Sequence, residues 1–497
     1  MAQFITTGSV NYNNLRLAIR AATSGALNNQ TIDIGTGLYD IRSSDTVLTP
    51  IPNPDPLALR NPNTFARFGA KTLTFSGSGS SNDPTISTII TGNARIYTNQ
   101  SDRSSGVPVG ITINRLRLSY GEVFTGYTSP NGSGYILQSG VKQYGAGGLT
   151  GITSRIGTVS LDGVTFAGVH TGAVGNNGGA PYGNYMDVAV GTSLTFNKIN
   201  VALTGQGGGT YFANNPTGYG SAFLLANGPQ ITVTNSTFDE AGYRNALSLW
   251  GASGFETNVT IFKNTFTRTA NQGIRTAGET LSRVKGSVTE NTFEQGAYLD
   301  LQNLDLPSTF PTDPDPTNGL GIANNTFTLL NGGYGVVVRN GQSVTNLANL
   351  VIEFNAFNGG LAVLNQISTP NSVLTFGTNT VNGVAYVALQ VGGTGADTIT
   401  GTSDKEWIAG GGGNDDITTN GGDDAIVFSD FASVDTVRGF SSSCTIQLED
   451  AVFTTPGLLS QANNGLDLDL FYNSNKFATL VGLAGQNVVG TPQIVFF

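Results

Sequence analysis

Short phrases that alternate apolar and polar residues return along the chain from about residue 190. The clearest of them end in Phe and are rich in Val, Ile and Thr: VTNSTF (233–238), IFKNTF (261–266), VTENTF (288–293), IANNTF (322–327) and IEFNAF (352–357). The final Phe residues are separated by 28, 27, 34 and 30 positions. Alternation with a period of two predicts β-strands, and the Gly and Asn residues between the phrases predict turns.

Repeats of this length that bury their apolar side chains by stacking are typical of a parallel β-helix, whose coils lie about 4.8 Å apart. Each phrase would form one strand of a coil, with two further short strands completing it. We predict an interior stack of the phenylalanines that end the phrases, Phe238, Phe266, Phe293, Phe327 and Phe357. Hydrogen bonds along the stack are expected of the asparagines two residues earlier, Asn264, Asn291, Asn325 and Asn355.

One segment near the start has a helical pattern. In NNLRLAIRAATSG (13–25), Leu15, Ala18, Ile19 and Ala22 share one face, and Gly25 ends the pattern. Because the open end of a coil exposes unpaired strand edges, we expect this helix to cap the β-helix. With the strand-like QTIDIGTGLYDI (30–41) it resembles the capped N-terminus of pectate-lyase-like β-helices. That resemblance implies an all-β, right-handed solenoid over residues 1–390.

Residues 392–427 divide into four nonapeptides, GGTGADTIT, GTSDKEWIA, GGGGNDDIT and TNGGDDAIV. Isoleucine recurs every nine residues, and so does a carboxylate at the sixth position of each repeat, at Asp397, Glu406, Asp415 and Asp424. The first and third nonapeptides match the consensus G-G-x-G-x-D-x-U-x at every position. A flexible acidic linker has no reason to keep this register, so the pattern favours an ordered structure.

These nonapeptides resemble the RTX family of calcium-binding repeats. The resemblance implies a parallel β-roll over 391–427, in which repeats 1 and 3 stack on one side and repeats 2 and 4 on the other. Carboxylates and carbonyls exposed by glycine turns are the hard oxygen ligands that Ca²⁺ prefers. The predicted metal ligands are Gly392, Gly393, Gly395, Asp397, Glu406, Gly410, Gly411, Gly413, Asp415 and Asp424. Repeats 2 and 4 depart from the consensus, so we expect the site of Glu406 and Asp424 to be weaker or absent.

Residues 428–497 resemble the C-terminal flank of RTX proteins, with a β-hairpin turning at Asn473–Asn475. In that family the uncleaved C-terminus directs type I secretion, which implies an extracellular or cell-surface location and folding triggered by external calcium. The first residues show no charged segment followed by an apolar one, so no cleavable signal peptide is predicted. The single Cys444 excludes an intrachain disulfide.

Charge is distributed unevenly along the chain. Residues 1–390 carry 20 acidic and 20 basic side chains, whereas residues 391–497 carry 13 acidic and three basic ones, so the whole net charge of −10 lies in the last fifth. The lack of a basic stripe argues against a nucleic-acid partner. No apolar run approaches the length of a membrane-spanning helix, and we predict no transmembrane segment.

An enzyme is the alternative interpretation, because β-helices followed by RTX repeats also resemble mannuronan C5-epimerases and some polysaccharide lyases. The Asp-Pro-His cluster of the epimerases is missing, since the single histidine, His170, has no Asp-Pro before it. A lyase could instead use a Lys or Arg base. The candidates are the densest charges of the first 390 residues, Tyr243, Arg244, Lys263, Arg268, Arg275, Arg283, Lys285 and Glu290. A solvated face of paired charges explains the same residues.

The leading interpretation is a secreted, calcium-dependent structural or adhesive protein, such as a subunit of an S-layer, an extracellular filament or a matrix. A body with few charges has little desolvation penalty and little self-repulsion when copies pack together. The expected partners are other copies of the chain, in an oligomer or polymer, and a cell-surface polysaccharide. The alternative is a calcium-dependent polysaccharide lyase or epimerase.

Overall fold

The computed structural model describes 4–6, 29–40, 64–68, 72–83, 86–91, 95–98, 110–120, 152–154, 158–170, 186–189, 193–205, 222–227, 230–241, 245–250, 257–267, 272–277, 284–302, 304, 319–330, 332–339, 347, 349–369 and 371–497. The chain divides into two compact units, 1–274 and 275–497. The predicted division at residues 390 and 427 stays a prediction. The predicted capping helix over 13–25 lies outside the described residues, and the described residues contain no α-helix.

The first unit contains three sheets of parallel strands. The first sheet comprises Phe4–Thr6, Asn29–Asp33, Thr72–Ser76, Gly110–Asn114, Thr158–Asp162, Ser193–Asn197, Gln230–Thr234 and Thr257–Phe262. The second comprises Gly37–Asp40, Thr88–Thr91, Arg117–Tyr120, Thr165–His170, Asn200–Gly205, Thr237–Ala241 and Thr265–Thr267. The third comprises Thr64–Phe68, Arg95–Thr98, Ile152–Ser154, Met186–Ala189, Ala222–Asn227, Asn245–Trp250 and Gln272–Ala277, in which the unit boundary falls. Successive coils therefore stack strand on strand, as a parallel β-helix requires.

Alternation in the sequence explains why these segments are strands. In Ser193–Asn197 the side chains of Leu194 and Phe196 are fully buried, while the three residues between and beside them are half-buried. A short turn then leads from the first sheet to the second. Lys198 begins that turn with a φ of 54°, and Ile199 points back into the core. The same left-handed backbone recurs at the equivalent turn of the next two coils, at Asn235 and Lys263, whose side chains are exposed.

The second unit begins with the same arrangement of three sheets and ends with two different sheets. Its first sheet comprises Val284–Thr289, Leu320–Ala323 and Leu350–Glu353. The second comprises Thr292–Phe293, Thr326–Thr328, Ala356–Asn358, Asn379–Val381 and Val384–Tyr386, of which the last two pair antiparallel. The third comprises Leu299–Gln302, Tyr334–Arg339 and Leu361–Asn365. The prediction of an all-β fold built from stacked parallel strands is confirmed.

The predicted phenylalanine stack is present within each unit. In the first unit the rings of Phe238 and Phe266 are parallel, with centroids 5.1 Å apart. In the second unit Phe327 lies between Phe293 and Phe357, at 4.6 and 4.8 Å. All five side chains are fully buried. These distances match the spacing of stacked coils, so each ring fills the interior of its own coil and covers the next.

The predicted asparagine ladder also forms. In the second unit the side-chain amide of Asn291 donates to Asn325 Oδ1, that of Asn325 to Asn355 Oδ1, and that of Asn355 to Asn379 Oδ1, at 2.9–3.1 Å. In the first unit Asn264 accepts from the main-chain N–H of Ser236 at 2.9 Å. All of these asparagines are buried, so the ladder satisfies polar groups at the turn that water cannot reach.

Two six-stranded sheets complete the second unit; we call them the roll sheets. One comprises Leu374–Phe376, Ala388–Val391, Glu406–Ala409, Ala425–Phe428, Thr445–Leu448 and Ile494–Phe496. The other comprises Thr398–Thr400, Asp416–Thr418, Asp435–Arg438, Asn475–Leu480, Asp467–Tyr472 and Leu459–Asn464, and a 3-10 helix spans Pro456–Leu458. Asn473 and Ser474 form the turn of the predicted hairpin, both with positive φ. Ile399, Ile408, Ile417 and Ile426 are fully buried between the roll sheets.

Candidate metal centre

The four nonapeptides occupy the two roll sheets alternately. Ile399 pairs with Ile417 in one sheet, and Ile408 pairs with Ile426 in the other, each partner 18 residues further along the chain. Two nonapeptides therefore make one turn, as the sequence predicts. The glycine-rich loops before these strands are stacked in the same order, and each loop ends in one of the predicted carboxylates.

On one side of the roll the carboxylates form a hydrogen-bonded ladder. Asp397 accepts the main-chain N–H of Gly393 at 2.7 Å and that of Ser372 at 2.6 Å. Asp415 Oδ1 accepts the N–H of Asp397 at 2.8 Å, and Asp435 Oδ1 accepts the N–H of Asp415 at 3.0 Å. Each carboxylate thus holds the strand of the preceding turn.

Asp435 is a member of this ladder that the sequence analysis missed. It lies 20 residues after Asp415 instead of 18, because the loop before it is two residues longer. Its signal is the triplet Asp435-Thr436-Val437, which repeats the Asp-x-apolar pattern of Asp397 and Asp415. Asp435 is only 4% exposed, so it belongs to the interior of the turn and not to the surface of the flank.

On the other side of the roll, Glu406 and Asp424 occupy equivalent positions. Asp424 Oδ1 accepts the main-chain N–H of Glu406 at 2.9 Å. Glu406 in turn accepts from the Thr402 N–H at 2.6 Å and from the Gln390 side chain at 3.0 Å. Both oxygens of Glu406 are therefore engaged by the protein, as both oxygens of Asp397 are on the other side. Which of the two sites is the weaker stays a prediction.

Among the described residues, two carboxylate oxygens are inaccessible to solvent and have no hydrogen-bond partner. They are Oδ2 of Asp415 and Oδ2 of Asp424, one on each side of the roll. Their residues are 2% and 0% exposed. A buried anionic oxygen without a partner is costly, and a cation is the usual compensation. The donor set of carboxylates beside glycine carbonyls fits Ca²⁺, which takes six to eight oxygen ligands.

The glycines of the loops let the stacked turns approach closely. A Cβ on Gly410 would lie 2.3 Å from Asp415 Oδ2, and a Cβ on Gly392 would lie 2.0 Å from the Gly410 carbonyl oxygen. Gly411 and Gly413 have φ of 90° and 102°, which a side chain would strain. The predicted glycine positions, including Gly393 and Gly395, thus lie together in two stacked loops, and their role as carbonyl ligands stays a prediction.

Burial disfavours the charged form of three carboxyls in the roll. It raises the pKa of Asp415 to about 7, against the opposing hydrogen bond from Asp397 and with the added repulsion of Asp397 and Asp430. Burial likewise raises the pKa of Asp435 to about 8 and that of Asp424 to about 6. Among the described residues, no positively charged side chain opposes the rise in the pKa of these three carboxyls. A bound divalent cation would supply that positive charge.

Side chains alone do not complete a metal site. Across the part of the chain that the structure describes, no three His, Cys, Asp or Glu side chains are arranged to hold one ion. A calcium site in the roll would therefore depend on main-chain carbonyls for most of its ligands, as expected from the glycine loops.

Four of the eight candidate lyase residues lie among the described residues, one in the first unit and three in the second. Tyr243, Arg244, Arg268 and Arg283 lie outside the described residues. In the first unit Lys263 lies on an exposed turn, with Nζ 4.8 Å from the centre of the Phe262 ring. In the second unit, Arg275 and Lys285 lie in strands of different sheets, and Glu290 begins a turn with a φ of 55°.

Arg275 has a structural environment of its own. Its side chain is 12% exposed, donates to Gln302 Oε1 and lies 3.8 Å from a carboxylate oxygen of Asp300. Arg339 donates to the other oxygen of Asp300 at 2.6 Å. The buried Asp300 is thus compensated by two arginines, which accounts for Arg275 without a substrate.

Comparison with known proteins adds no family to these observations. No protein-family model matches the chain, and no curated protein matches it. No helix among the described residues is long and apolar enough to cross a membrane.

Proposed function

We propose that this chain is an extracellular structural or adhesive protein that folds its C-terminal module on calcium and then assembles with other copies of itself. Membership of the RTX family and export by type I secretion are parts of the same proposal. They rest on the nonapeptides of residues 392–427 and on the flank that follows them.

The pair of partnerless buried oxygens, Asp415 Oδ2 and Asp424 Oδ2, carries the calcium part of the proposal. Asp397 and Asp415, with carbonyls of Gly392–Gly395 and Gly410–Gly413, would hold one ion. Glu406 and Asp424 would contribute to a weaker site. Extracellular modules of this kind bind calcium in the range of about 10⁻⁴–10⁻³ M, so the module would order only outside the cell.

Charge supports the assembly part of the proposal. The first 390 residues sum to zero charge, so copies packed through this part repel each other little. The whole charge of −10 lies in the calcium-binding part and its flank. Each bound Ca²⁺ adds two positive charges there, which lowers repulsion between neighbouring copies. Calcium would then act as an assembly switch.

Light scattering and electron microscopy of the purified full chain test this proposal. Titration with Ca²⁺ should produce regular assemblies that dissolve when a chelator is added, and Mg²⁺ at the same concentration should not replace it. A chain that stays monomeric at every calcium concentration would contradict assembly. Release of unsaturated uronate products from alginate or pectate would favour the lyase.

A further inference from the structure

The outer face of the first sheet in the first unit carries an unbroken column of hydroxyl groups. In the seven strands from Asn29–Asp33 to Thr257–Phe262, Cα pairing places one hydroxyl residue of each strand directly over that of the next. The column comprises Thr31, Thr74, Thr112, Ser160, Thr195, Thr232 and Thr260. All seven residues are half-buried, as expected of side chains packed along a sheet and open to its outer side. We call this column the hydroxyl ladder.

The positions beside the hydroxyl ladder on the same face are mostly polar, the exceptions being Gly110 and Phe262, and few of them are charged. They are Asn29, Asp33, Thr72, Ser76, Gly110, Asn114, Thr158, Asp162, Ser193, Asn197, Gln230, Thr234, Asn258 and Phe262. This set includes two carboxylates and no Lys or Arg. The Asp162 carboxylate accepts a hydrogen bond from the Asn197 side chain at 2.7 Å, so one of the two charges is already partnered within the face.

Such a face has physical properties that suit association. Threonine is branched at Cβ and has few rotamers, so an ordered column loses little side-chain entropy on contact. A hydroxyl both donates and accepts hydrogen bonds, so two identical ladders are complementary to each other. Because the face is nearly free of charge, its burial requires little desolvation of ions.

The area of the face is sufficient for a specific interface. Seven strands about 4.8 Å apart, each about five residues long at about 3.3 Å per residue, cover roughly 550 Å². Two such faces together would bury roughly 1,100 Å², and a specific protein–protein interface needs about 1,000 Å².

We propose that the hydroxyl ladder and the positions beside it form a self-complementary interface with a second copy of this chain. The inference rests on the proposed function and names the surface through which assembly takes place. Two copies would pack face to face through the same seven strands, which is the arrangement of an isologous contact.

Size-exclusion chromatography with light scattering, on the full chain in calcium and over a range of concentrations, tests the interface. Thr195→Arg and Ser160→Arg place a long charged side chain in the middle of the ladder and should weaken association at least tenfold. Asn200→Arg is the matched control, because Asn200 is exposed on the second sheet of the same coil as Thr195. It should associate like the wild type. If thermal unfolding shows that the arginine variants are unstable, Thr195→Gln replaces them. Glutamine lengthens the side chain without adding a charge.

The outcomes separate the two proposals. Association of the wild type and Asn200→Arg, with loss in the ladder variants, supports the interface. Equal association of the wild type and the folded ladder variants overturns the interface and leaves assembly through another surface. A wild type that is monomeric at every concentration overturns both the interface and the proposed function.

Discussion

The carboxylate of Asp415 holds the main-chain N–H of Asp397 at 2.8 Å with one oxygen and leaves its other oxygen buried without a partner. The two residues are 18 positions apart and lie in successive turns of the roll. One oxygen therefore contributes to the fold and the other is available to a ligand. This division of roles makes the contribution of each oxygen separable by substitution.

Asp415→Asn should weaken calcium binding at least tenfold and preserve the contact to Asp397. An asparagine can still accept from the Asp397 N–H, but it removes the charge that would hold the ion. Calcium titration followed by circular dichroism measures the midpoint. Asp416→Asn is the control, because the neighbouring Asp416 is 48% exposed and pairs with Arg438 at 3.0 Å. A normal midpoint in Asp415→Asn, or an equal shift in both variants, would contradict this assignment.

Glu449 should make the protein less stable as the pH rises from about 4 to about 7. Burial raises the pKa of Glu449 to about 7, whereas an unfolded chain releases this proton near pH 4. In that window the folded state binds more protons, so raising the pH favours unfolding, and the effect levels off above pH 7. Thermal unfolding at fixed calcium should show a shallower decline in Glu449→Gln than in the wild type. The same slope in Glu449→Gln would rule out this origin, and Asp450→Asn serves as the neighbouring control.

Phe327→Ala should destabilise the second unit by about 3–5 kcal/mol through lost burial and the cavity left between two rings. Phe327 is fully buried between Phe293 and Phe357. Phe354→Ala is the control, because Phe354 is 58% exposed and adopts a φ of 57° that does not favour a bulky residue. Urea unfolding followed by fluorescence compares the two variants. If both variants lost a similar free energy of unfolding, the burial of the Phe327 ring between its two neighbours would not account for its contribution to stability.

Asn325→Asp should destabilise the protein more than Asn325→Ala does. The Asn325 amide donates to the Val288 and Ala323 carbonyls and to Asn355 Oδ1, at 2.8–3.1 Å. A carboxylate would direct a buried negative charge at these three acceptors, whereas alanine loses about 1 kcal/mol per hydrogen bond. Asn324→Asp, at the exposed neighbouring position, should change stability little. The opposite order in chemical unfolding would show that the ladder tolerates charge.

The sequence predicts the ladders best where a position repeats without interruption. The sequence predicts the stack of Phe293, Phe327 and Phe357 because the same residue type recurs in each coil. Asn379 belongs to the asparagine ladder in the structure, but the pattern of phrases ending in Phe does not predict it. The reason is that its strand carries Val381 where the other coils carry Phe. Asp435 was not predicted for a different reason. A longer loop places it 20 residues after Asp415, whereas Asp415 lies 18 residues after Asp397. Strands still pair when one residue type is replaced or a loop is lengthened, but a search for a fixed residue type at a fixed spacing then fails.

The sequence by itself determined the strand-and-turn composition, the two-residue alternation that separates core from surface, and the nine-residue register of the roll. These features are local, because they depend on which side of a strand each residue faces. Only the tertiary structure decided which side chains became neighbours across coils. It placed Thr74 over Thr31 and Asp435 beside Asp415, and it left Asp415 Oδ2 without a partner. Those relationships depend on the register between strands that are far apart in the chain. Burial and hydrogen bonding fix that register only when the coils stack.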